Sequence, residues 1–479
     1  MSYVFHRQPR QSLPAAAKGQ GIHVIDQQGK RYIDASGGAA VTSLGHGHPV
    51  ITQAIKDQLD QIAYVHSSFF TTQATEELAE FLATRAPGDL NHVYFGSGGS
   101  EAIEAAIKLA RQYFVEIGQP TRRHFITRRQ SYHGNTLGAL SISGNELRRE
   151  AFRPLLMPST QVSPCYLYRG QRHDETEEQY GQRLADELDE RIRALGPENV
   201  AAFVAETVGG ATAGVLPPAQ GYLKRVREVC DRYGVLLILD EVMAGMGRTG
   251  TLFACEQYDV VPDMVALAKG LGAGYQPIGA LVANDRIYDA IVAGSGSFQH
   301  GHTYMGHATA CAAALAVQRY IEDNNLLQNV RERGQQMRRE LREALADHPN
   351  VGDIRGVGLF IGIELVGNKR TRQPLEPALR THVRLKKQAM QHGLMMYPAG
   401  GTVDGARGDH VLFAPPFICT ANDITSIVNR FVQTLYDVLY TPAVVHSVPS
   451  TVSIDFDRNT THGQIAIRRP EHAEHSAAG

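Results

Sequence analysis

Lys269 is the residue of this 479-residue chain whose setting most clearly suggests chemistry. It directly follows the apolar segment Met264–Ala268, and glycines stand at positions 270, 272 and 274. Glycines leave room for a bulky ligand to approach the backbone. A lysine at the end of a buried strand is poorly solvated, which favours its neutral amine, and a neutral amine can form a Schiff base with an aldehyde. The alternative is a surface lysine that caps the strand.

A carboxylate ends another apolar segment upstream. Asp240 follows Val235–Leu239 and stands 29 residues before Lys269, a spacing that fits one β–connection–β unit. The carboxyl ends of parallel strands meet at one edge of a sheet, so we expect Asp240 and Lys269 at the same edge. An aspartate there can keep a ring nitrogen protonated. The alternatives for Asp240 are a helix cap and a loop carboxylate, and we interpret Glu241 beside it as structural.

A glycine-rich turn offers a place for a phosphate. The segment Phe95–Ala102 (FGSGGSEA) runs from a strand candidate through three glycines into a helix candidate. The backbone N–H groups of Gly99 and Ser100 would face an anion at the positive end of the helix, and the Ser100 hydroxyl could add a bond. The turn matches neither GxGxxG nor GxxxxGK[ST], so a tight turn without a ligand is the alternative.

These three features correspond to one cofactor. Pyridoxal 5'-phosphate (PLP) needs a lysine for its aldehyde, a carboxylate for its pyridine nitrogen and a cradle for its phosphate. Tyr132, in Ser131–Gly134, could stack on one face of the pyridine ring, and Val242 could cover the other. Because an isolated tyrosine or valine usually belongs to the core, both of these assignments depend on PLP.

The histidines of Phe298–His307 (FQHGHTYMGH) are close enough in sequence to suggest a metal site. No carboxylate or cysteine completes a ligand set at the usual spacing. We therefore predict no metal site.

The composition limits the partners and the compartment. The formal net charge is −2, which gives no bulk attraction to nucleic acid or to an anionic membrane. Five scattered cysteines without a CxxC pair indicate free thiols in a reducing compartment. The first residues have no apolar signal region, and the longest apolar runs are too short to span a bilayer. We predict a cytoplasmic protein with neither nucleic-acid nor membrane partners.

Short apolar segments alternate with helical patterns between about residues 72 and 285, which is typical of an α/β fold with a mostly parallel sheet. One helical pattern covers Glu101–Phe114 with Ser100 as its predicted N-cap, and a long one covers roughly Ala308–Asp347. The predicted strands are His92–Phe95, Val200–Ala205, Val235–Leu239, Met264–Ala268 and Ile278–Ala283, an N-terminal hairpin of Ile22–Asp26 with Arg31–Asp34, and Gly358–Leu365, Gly393–Tyr397 and His410–Phe413 near the C-terminus.

This pattern predicts four parts. Residues 1–60 form an N-terminal segment that packs with the small domain, residues 61–310 the large PLP-binding domain, and residues 311–441 a smaller α/β domain. Residues 442–479 lose apolar periodicity, and we interpret them as a C-terminal extension.

Taken together, the motifs resemble the class III aminotransferases of PLP fold type I. The resemblance covers roughly residues 20–437 and implies a large domain, with a mostly parallel seven-stranded sheet between helices, and a smaller α/β domain. The motifs occur in the family's order: LGHGHP, SGGSEA, YHG, the strand end at Glu206, LILDEVMAGMGRTG, ALAKGLGAGYQPIGA, HTYMGH, RGVGLFIGIE and FAPPF.

The resemblance implies a role for each motif residue. Lys269 is similar to the Schiff-base lysine, Asp240 to the partner of the pyridine nitrogen, and Glu206 to a glutamate near the substrate and O3' of the ring. Gly99 and Ser100 resemble the family's phosphate-binding turn. Tyr132 resembles the aromatic residue that stacks on the ring, and Val242 the residue beneath the ring. Thr303 resembles a residue that reaches the phosphate of the other subunit.

Thr303 thereby implies a homodimer with shared active sites, and two such dimers could form a tetramer. The family usually follows its glutamate with proline, whereas this chain has Thr207.

The resemblance also implies a reaction. A donor amine displaces Lys269, which then acts as general base and general acid in a ping-pong amino-group transfer. Relatives acting on ornithine or 4-aminobutyrate carry an arginine just before FAPPF, where this chain has Leu412. Arg407 instead resembles the movable arginine of ω-amino acid and amine transaminases, which can pair bidentately with a carboxylate. The alternative is a solvated loop arginine.

We therefore predict transfer from an ω-amino acid, diamine or amine to pyruvate or 2-oxoglutarate. A decarboxylase, aminomutase or racemase of the same class stays open, because such relatives keep the same lysine and aspartate. A non-catalytic binding protein and a nicotinamide dehydrogenase are less favoured, since the cofactor positions are intact and GxGxxG is missing.

Overall fold

A computed structural model describes residues 3–440 of the chain. The predicted C-terminal extension, 442–479, lies outside the described residues. Between residues 3 and 440, no helix is long and apolar enough to cross a membrane.

The described chain contains fifteen strands. They are β1 (Ala16–Gln20), β2 (His23–Asp26), β3 (Arg31–Asp34), β4 (His92–Gly96), β5 (His124–Arg128), β6 (Thr160–Val162), β7 (Val200–Glu206), β8 (Leu236–Asp240), β9 (Met264–Leu267), β10 (Gly279–Ala283), β11 (Val351–Val357), β12 (Phe360–Leu365), β13 (Leu394–Met395), β14 (Tyr397–Gly400) and β15 (Asp409–Phe413).

The same range contains fourteen α-helices, several of them single turns. They are α1 (Gly37–Ala40), α2 (Pro49–Gln61), α3 (Gln73–Ala83), α4 (Gly99–Glu116), α5 (Leu137–Ser141), α6 (Glu146–Arg149), α7 (Leu167–Gly170), α8 (Glu177–Leu195), α9 (Tyr222–Tyr233), α10 (Asp285–Ala293), α11 (Ala308–Asp323), α12 (Leu326–Leu345), α13 (Thr381–Gln391) and α14 (Ala421–Tyr440).

Seven strands form the central sheet in the order β4-β10-β9-β8-β7-β5-β6. Strand β10 is antiparallel to both of its neighbours, and the other pairs are parallel. The predicted α/β fold with a mostly parallel seven-stranded sheet is confirmed. All residues of β7, β8 and β9 are buried, which explains their nearly continuous apolar sequences.

The two faces of this sheet carry different helices. Leu237 and Leu239 belong to a core cluster with residues of α3, α8, α9 and α11. Leu236 and Ile238 point to the other face and pack in a cluster with residues of α4, α5 and α10. Alternating residues of one strand therefore contribute to two separate cores, as expected for a sheet covered on both sides.

The register of the central strands brings their ends together. Across the parallel pairs, Asp240 lies opposite Glu206 of β7 and opposite Ala266 of β9. Lys269 follows the end of β9 by two residues. Asp240 and Lys269 thus lie at the same edge of the sheet, as the spacing predicts.

Two four-stranded sheets accompany the central one. Their strand orders are β1-β2-β3-β13 and β11-β12-β15-β14. The predicted N-terminal hairpin is present as β2 and β3, and β3 pairs in parallel with β13. Apolar residues of the first 60 positions share a core cluster with residues from α12 and α14. The proposed domain boundaries themselves stay predictions.

Two local predictions are wrong. Helix α4 begins at Gly99 with Gly98 as its N-cap, so Ser100 lies in the first turn and not at the cap. The predicted helix Ala308–Asp347 is two helices, α11 and α12, interrupted at Asn324 and Asn325. Asn325 has φ +49°, a left-handed conformation that ends a helix and that asparagine tolerates better than most residues.

Candidate active site

A cavity of about 410 Å³ opens at the carboxyl ends of the central strands. All of the predicted cofactor residues except Thr303 line it: Gly99, Ser100, Tyr132, Glu206, Asp240, Val242 and Lys269. The sheet therefore collects residues that are up to 170 positions apart in the sequence, counted from Gly99 to Lys269.

Lys269 is held in an unusual backbone conformation at the start of the short 3₁₀ turn Lys269–Leu271. Its φ is +45°, a left-handed value that costs a non-glycine residue of order 1–3 kcal/mol. Burial of the amine lowers the pKa of Lys269 to about 8, although the negative charges of Asp240 and Glu206 oppose that shift. The amine is thus neutral far more often near neutral pH than an ordinary lysine, as a nucleophile requires.

Asp240 is the last residue of β8 and is buried. One carboxylate oxygen, Oδ2, lies 2.8 Å from His133 Nδ1, and the other, Oδ1, accepts a hydrogen bond from the Val242 N–H at 2.9 Å. Since a carboxylate can only accept, His133 Nδ1 is the donor. These bonds fix the orientation of the carboxylate at the floor of the cavity.

His133 is a site residue that the sequence analysis missed. It is buried beside Asp240, and its Nε2 has no hydrogen-bond partner anywhere in residues 3–440. The signal available in the sequence was its position between Tyr132 and Gly134, in a motif already assigned to the cofactor.

Glu206 ends β7 next to Asp240. Its Oε1 accepts from the Tyr132 N–H at 3.0 Å and its Oε2 from the Gly210 N–H at 2.6 Å. Burial raises the pKa of Glu206; His133 opposes that shift, and the neighbouring charge of Asp240 adds to it. Through these bonds, Glu206 positions the backbone that carries Tyr132.

Thr207, which replaces the proline that usually follows this glutamate, has a structural partner. Its hydroxyl donates to Glu241 Oε1 at 2.9 Å. Glu241 also accepts from the N–H groups of Ala254 and Cys255, and burial raises its pKa to about 7. Glu241 does not line the cavity, so its interpretation as a structural residue agrees with its position.

The glycine-rich turn leaves the first turn of α4 facing the cavity. The N–H groups of Gly99 and Ser100 belong to that first turn and have no acceptor within the helix. Ser100 Oγ accepts from the Asn135 N–H at 3.0 Å, which leaves its own proton available for donation. A Cβ at position 99 would lie 2.8 Å from Val242 Cγ1, so only glycine permits this close packing.

Two predicted residues lie away from the cavity. Thr303 is exposed, and its carbonyl accepts from the Tyr64 hydroxyl at 2.9 Å. Arg407 is also exposed, with its Nε 2.7 Å from Asp404 Oδ2. The structure places neither residue among those that line the cavity, and their roles stay predictions.

The histidines of Phe298–His307 pack with aromatic rings. His300 lies 5.5 Å from the Tyr94 ring and 4.8 Å from the His302 ring, centroid to centroid. Across residues 3–440, no group of three or more histidine, cysteine, aspartate or glutamate side chains is arranged to hold a metal ion.

The cavity fits PLP chemically. It offers a buried amine with a lowered pKa for an aldehyde, a buried carboxylate for a protonated ring nitrogen, and a helix start with free N–H groups for a phosphate. The sequence matches the family described as aminotransferase class-III over residues 4–435.

This chain belongs to the class III aminotransferases. Like others of its class, the aminotransferase is a PLP-dependent enzyme, and the predicted fold type, activity and cofactor are confirmed. An uncharacterized aminotransferase of Schizosaccharomyces pombe is 42% identical over 435 residues, which are 91% of this chain and 95% of that protein.

Solved transaminases share the fold. The structure of an (S)-enantioselective omega-transaminase from Thermomicrobium roseum matches with a TM-score of 0.84 at 36% identity, covering 90% of this chain and 94% of that one. The omega transaminase of Pseudomonas jessenii, solved in complex with PMP, matches with a TM-score of 0.85 at 33% identity and covers 91% of this chain and 96% of that one.

Proposed function

We propose that this aminotransferase moves an amino group from an ω-amino acid, a diamine or a simple amine to an oxo acid, with pyruvate or 2-oxoglutarate as acceptor. One observation carries the proposal. Within the described range 3–440, no arginine lines the cavity, and its walls include the apolar residues Val41, Val208, Ala211 and Met243. An α-amino acid donor would need a fixed cation close to the reacting carbon, whereas an amine or an ω-amino acid does not. The α-carboxylate of the oxo acid acceptor is assigned to the movable Arg407 in this proposal.

Bound PLP supplies an aldehyde that joins an amine and a protonated ring that draws electrons away from the donor carbon. Lys269 is the residue we assign to hold the cofactor. Once free of the cofactor, Lys269 Nζ would take the proton from the donor carbon as general base and would return a proton to the aldehyde-derived carbon of the cofactor as general acid. A pKa of about 8 supports both roles, because both protonation states are accessible near neutral pH.

Asp240 and Glu206 have separate roles in this proposal. Asp240, oriented by the His133 Nδ1–H, holds the ring nitrogen in its protonated form. Glu206 lies beside it and would face O3' of the ring and the substrate. Its bonds to the N–H groups of Tyr132 and Gly210 hold the surrounding loops.

The remaining contacts orient the ring and the phosphate. The N–H groups of Gly99 and Ser100, with the Ser100 hydroxyl, bind the phosphate at the positive end of α4. Tyr132 and Val242 cover the two faces of the ring. Both line the cavity, and the fit of Val242 against Gly99 supports this arrangement.

A homodimer completes the site in this proposal, with Thr303 of a second copy contacting the phosphate. Thr303 is exposed and does not line the cavity of its own chain, and both observations support that role. The side chains of Phe69, Phe70 and Tyr304 are 78%, 69% and 60% exposed, which is characteristic of a surface that another protein covers. A tetramer made of two dimers is an open alternative, and a size measurement in solution distinguishes the two assemblies.

Three finer assignments complete the proposal. Arg407 is the movable arginine, which would exchange Asp404 for a substrate carboxylate. Residues 1–60 and 311–441 form the small-domain side, and 61–310 the large domain. A cytoplasmic location agrees with the five cysteines, all of which are free and buried.

The experiment is a half-reaction with the purified holoenzyme and a panel of ω-amino acids, diamines and amines, each added without an oxo acid. A true donor converts the bound cofactor to its amine form, seen as a change in the visible spectrum, and pyruvate or 2-oxoglutarate restores the first spectrum. Continuous consumption of an amino acid without any oxo acid would instead identify a decarboxylase, an aminomutase or a racemase, and would overturn the proposal.

A further inference from the structure

Arg148, on the short helix α6, is a cationic side chain near the reacting groups that has no anionic partner among residues 3–440. Its guanidinium carbon lies 4.3 Å from the centroid of the Tyr132 ring, and Tyr132 lines the cavity. Arg148 is also close enough to Lys269 for its charge to act on that amine. The side chain is only partly exposed, so stacking on Tyr132 limits its freedom.

The acidic neighbour of Arg148 on α6 is already engaged. Glu146 Oε1 pairs with Arg149 at 2.9 Å, and Glu146 Oε2 pairs with Arg153 at 2.5 Å. Among residues 3–440, no ion pair or side-chain hydrogen bond joins the Arg148 guanidinium to another residue. A partly buried, unpaired guanidinium is unusual, because such groups are normally matched by a carboxylate.

Helix α6, which carries Arg148, is held against a neighbouring loop. The loop 401–408 packs against α6, since a Cβ at Gly405 would lie 3.3 Å from the Leu147 nitrogen. Gln130 joins the two segments: its Nε2 donates to the Gly401 carbonyl at 3.0 Å, and its Oε1 accepts from Asn145 Nδ2 at 2.9 Å. These contacts fix the position of α6, and with it the position of Arg148 beside Tyr132 of the cavity wall.

We propose that Arg148 binds the carboxylate of substrates whose reacting carbon is several bonds away from that carboxylate. The inference rests on the proposed function and specifies its substrate class: ω-amino acids are preferred to carboxylate-free amines. The guanidinium does not line the cavity itself, so it meets the far end of an extended substrate and not a carboxylate on the reacting carbon. Its planar guanidinium then forms the bidentate pair that it lacks among residues 3–440.

The test compares two donors that differ only in the carboxylate, 4-aminobutyrate and butylamine, in the half-reaction without an oxo acid. Arg148→Met keeps an apolar side chain over Tyr132 and removes the charge. Arg148→Lys keeps the charge but lacks the planar guanidinium that pairs bidentately with a carboxylate. Arg153→Met is the matched control, because it removes a neighbouring arginine that is 61% exposed and already paired. The second-order rate constant of cofactor conversion is the readout.

We expect Arg148→Met to lower the rate constant for 4-aminobutyrate by about 10- to 100-fold more than the rate constant for butylamine, because only 4-aminobutyrate loses a charge-assisted pair. Arg148→Lys should lie between that variant and the wild type, and Arg153→Met should match the wild type. Equal losses with both donors, or no loss with 4-aminobutyrate, would overturn the inference, since either result assigns Arg148 a structural role at most.

Calorimetric binding of butyrate to the holoenzymes separates this inference from the proposed function. If wild-type protein converts its cofactor with none of the panel donors, the proposed function fails. Butyrate that binds wild type more tightly than Arg148→Met would still support the carboxylate site. Equal binding would reject it.

Discussion

Lys269 should react with an aldehyde at pH values where an ordinary lysine is almost inert. Burial lowers its pKa from 10.5 to about 8. At pH 7 the neutral fraction is then about 9%, against about 0.03% for a lysine of ordinary pKa, a difference of roughly 300-fold. The rate of covalent capture follows this fraction, because only the neutral amine is nucleophilic.

The assay mixes cofactor-depleted protein with PLP over a range of pH and measures covalent capture after borohydride reduction. The aldehyde has its own pH dependence, which N-acetyl-lysine amide reports under the same conditions. After division by that reference, the ratio of the two rates should stay constant at roughly 300 below about pH 8, where both amines titrate in parallel. Between about pH 8 and 10.5 the ratio should fall about tenfold per pH unit, because Lys269 is already neutral and the reference amine is still losing its proton.

A corrected rate with no break near pH 8 would refute the reasoning, because it would mean that the walls of the cavity do not desolvate the amine. Capture that persists in Lys269→Arg with the same break would also refute it, since the signal would then come from another group.

Three further predictions follow from the same geometry. Lys269→Met should raise the free energy of unfolding of the cofactor-free protein at pH 7, because the lowered pKa of Lys269 destabilises the wild-type fold fully below about pH 8. That destabilisation is lost between about pH 8 and 10.5, so denaturation at rising pH should show the difference between variant and wild type disappear towards pH 10.5. Asp240→Asn should keep the covalent cofactor but slow the half-reaction by about 100-fold or more in single-turnover spectra, and an unchanged rate would remove the ring-nitrogen role. Gly99→Ala should weaken PLP retention during dialysis, because its Cβ would lie 2.8 Å from Val242 Cγ1, and Val242→Ala in the same chain should restore part of it.

The central sheet and most of its site residues could be predicted from the sequence for a physical reason. Strands β7, β8 and β9 are buried on both faces, so they appear as short apolar runs. The first two end in Glu206 and Asp240, and Lys269 follows the third by two residues. The carboxyl ends of parallel strands meet at one edge of the sheet. The sequence therefore predicts that the residues at these ends lie close together, even though it shows no side-chain contacts.

Other elements lacked such a signal. Strand β5 carries polar residues within HFITR, and β6 is only three residues long, so neither stands out from its surroundings. The interruption at Asn325 depends on a left-handed backbone within an otherwise helical pattern. The partnership of His133 with Asp240 and the stacking of Arg148 on Tyr132 join positions that only the tertiary structure brings together.

The direct pairing of Glu206 with Asp240 across β7 and β8 constrains how this enzyme can change. Residues opposite each other on neighbouring strands point to the same face, so a slip of one strand by a single residue would turn one of the two carboxylates to the opposite face of the sheet. An insertion within either strand would therefore disrupt catalysis even if the apolar core tolerated it. Variation in length should be confined to the connecting segments, where it can alter substrate preference and leave the two acids aligned.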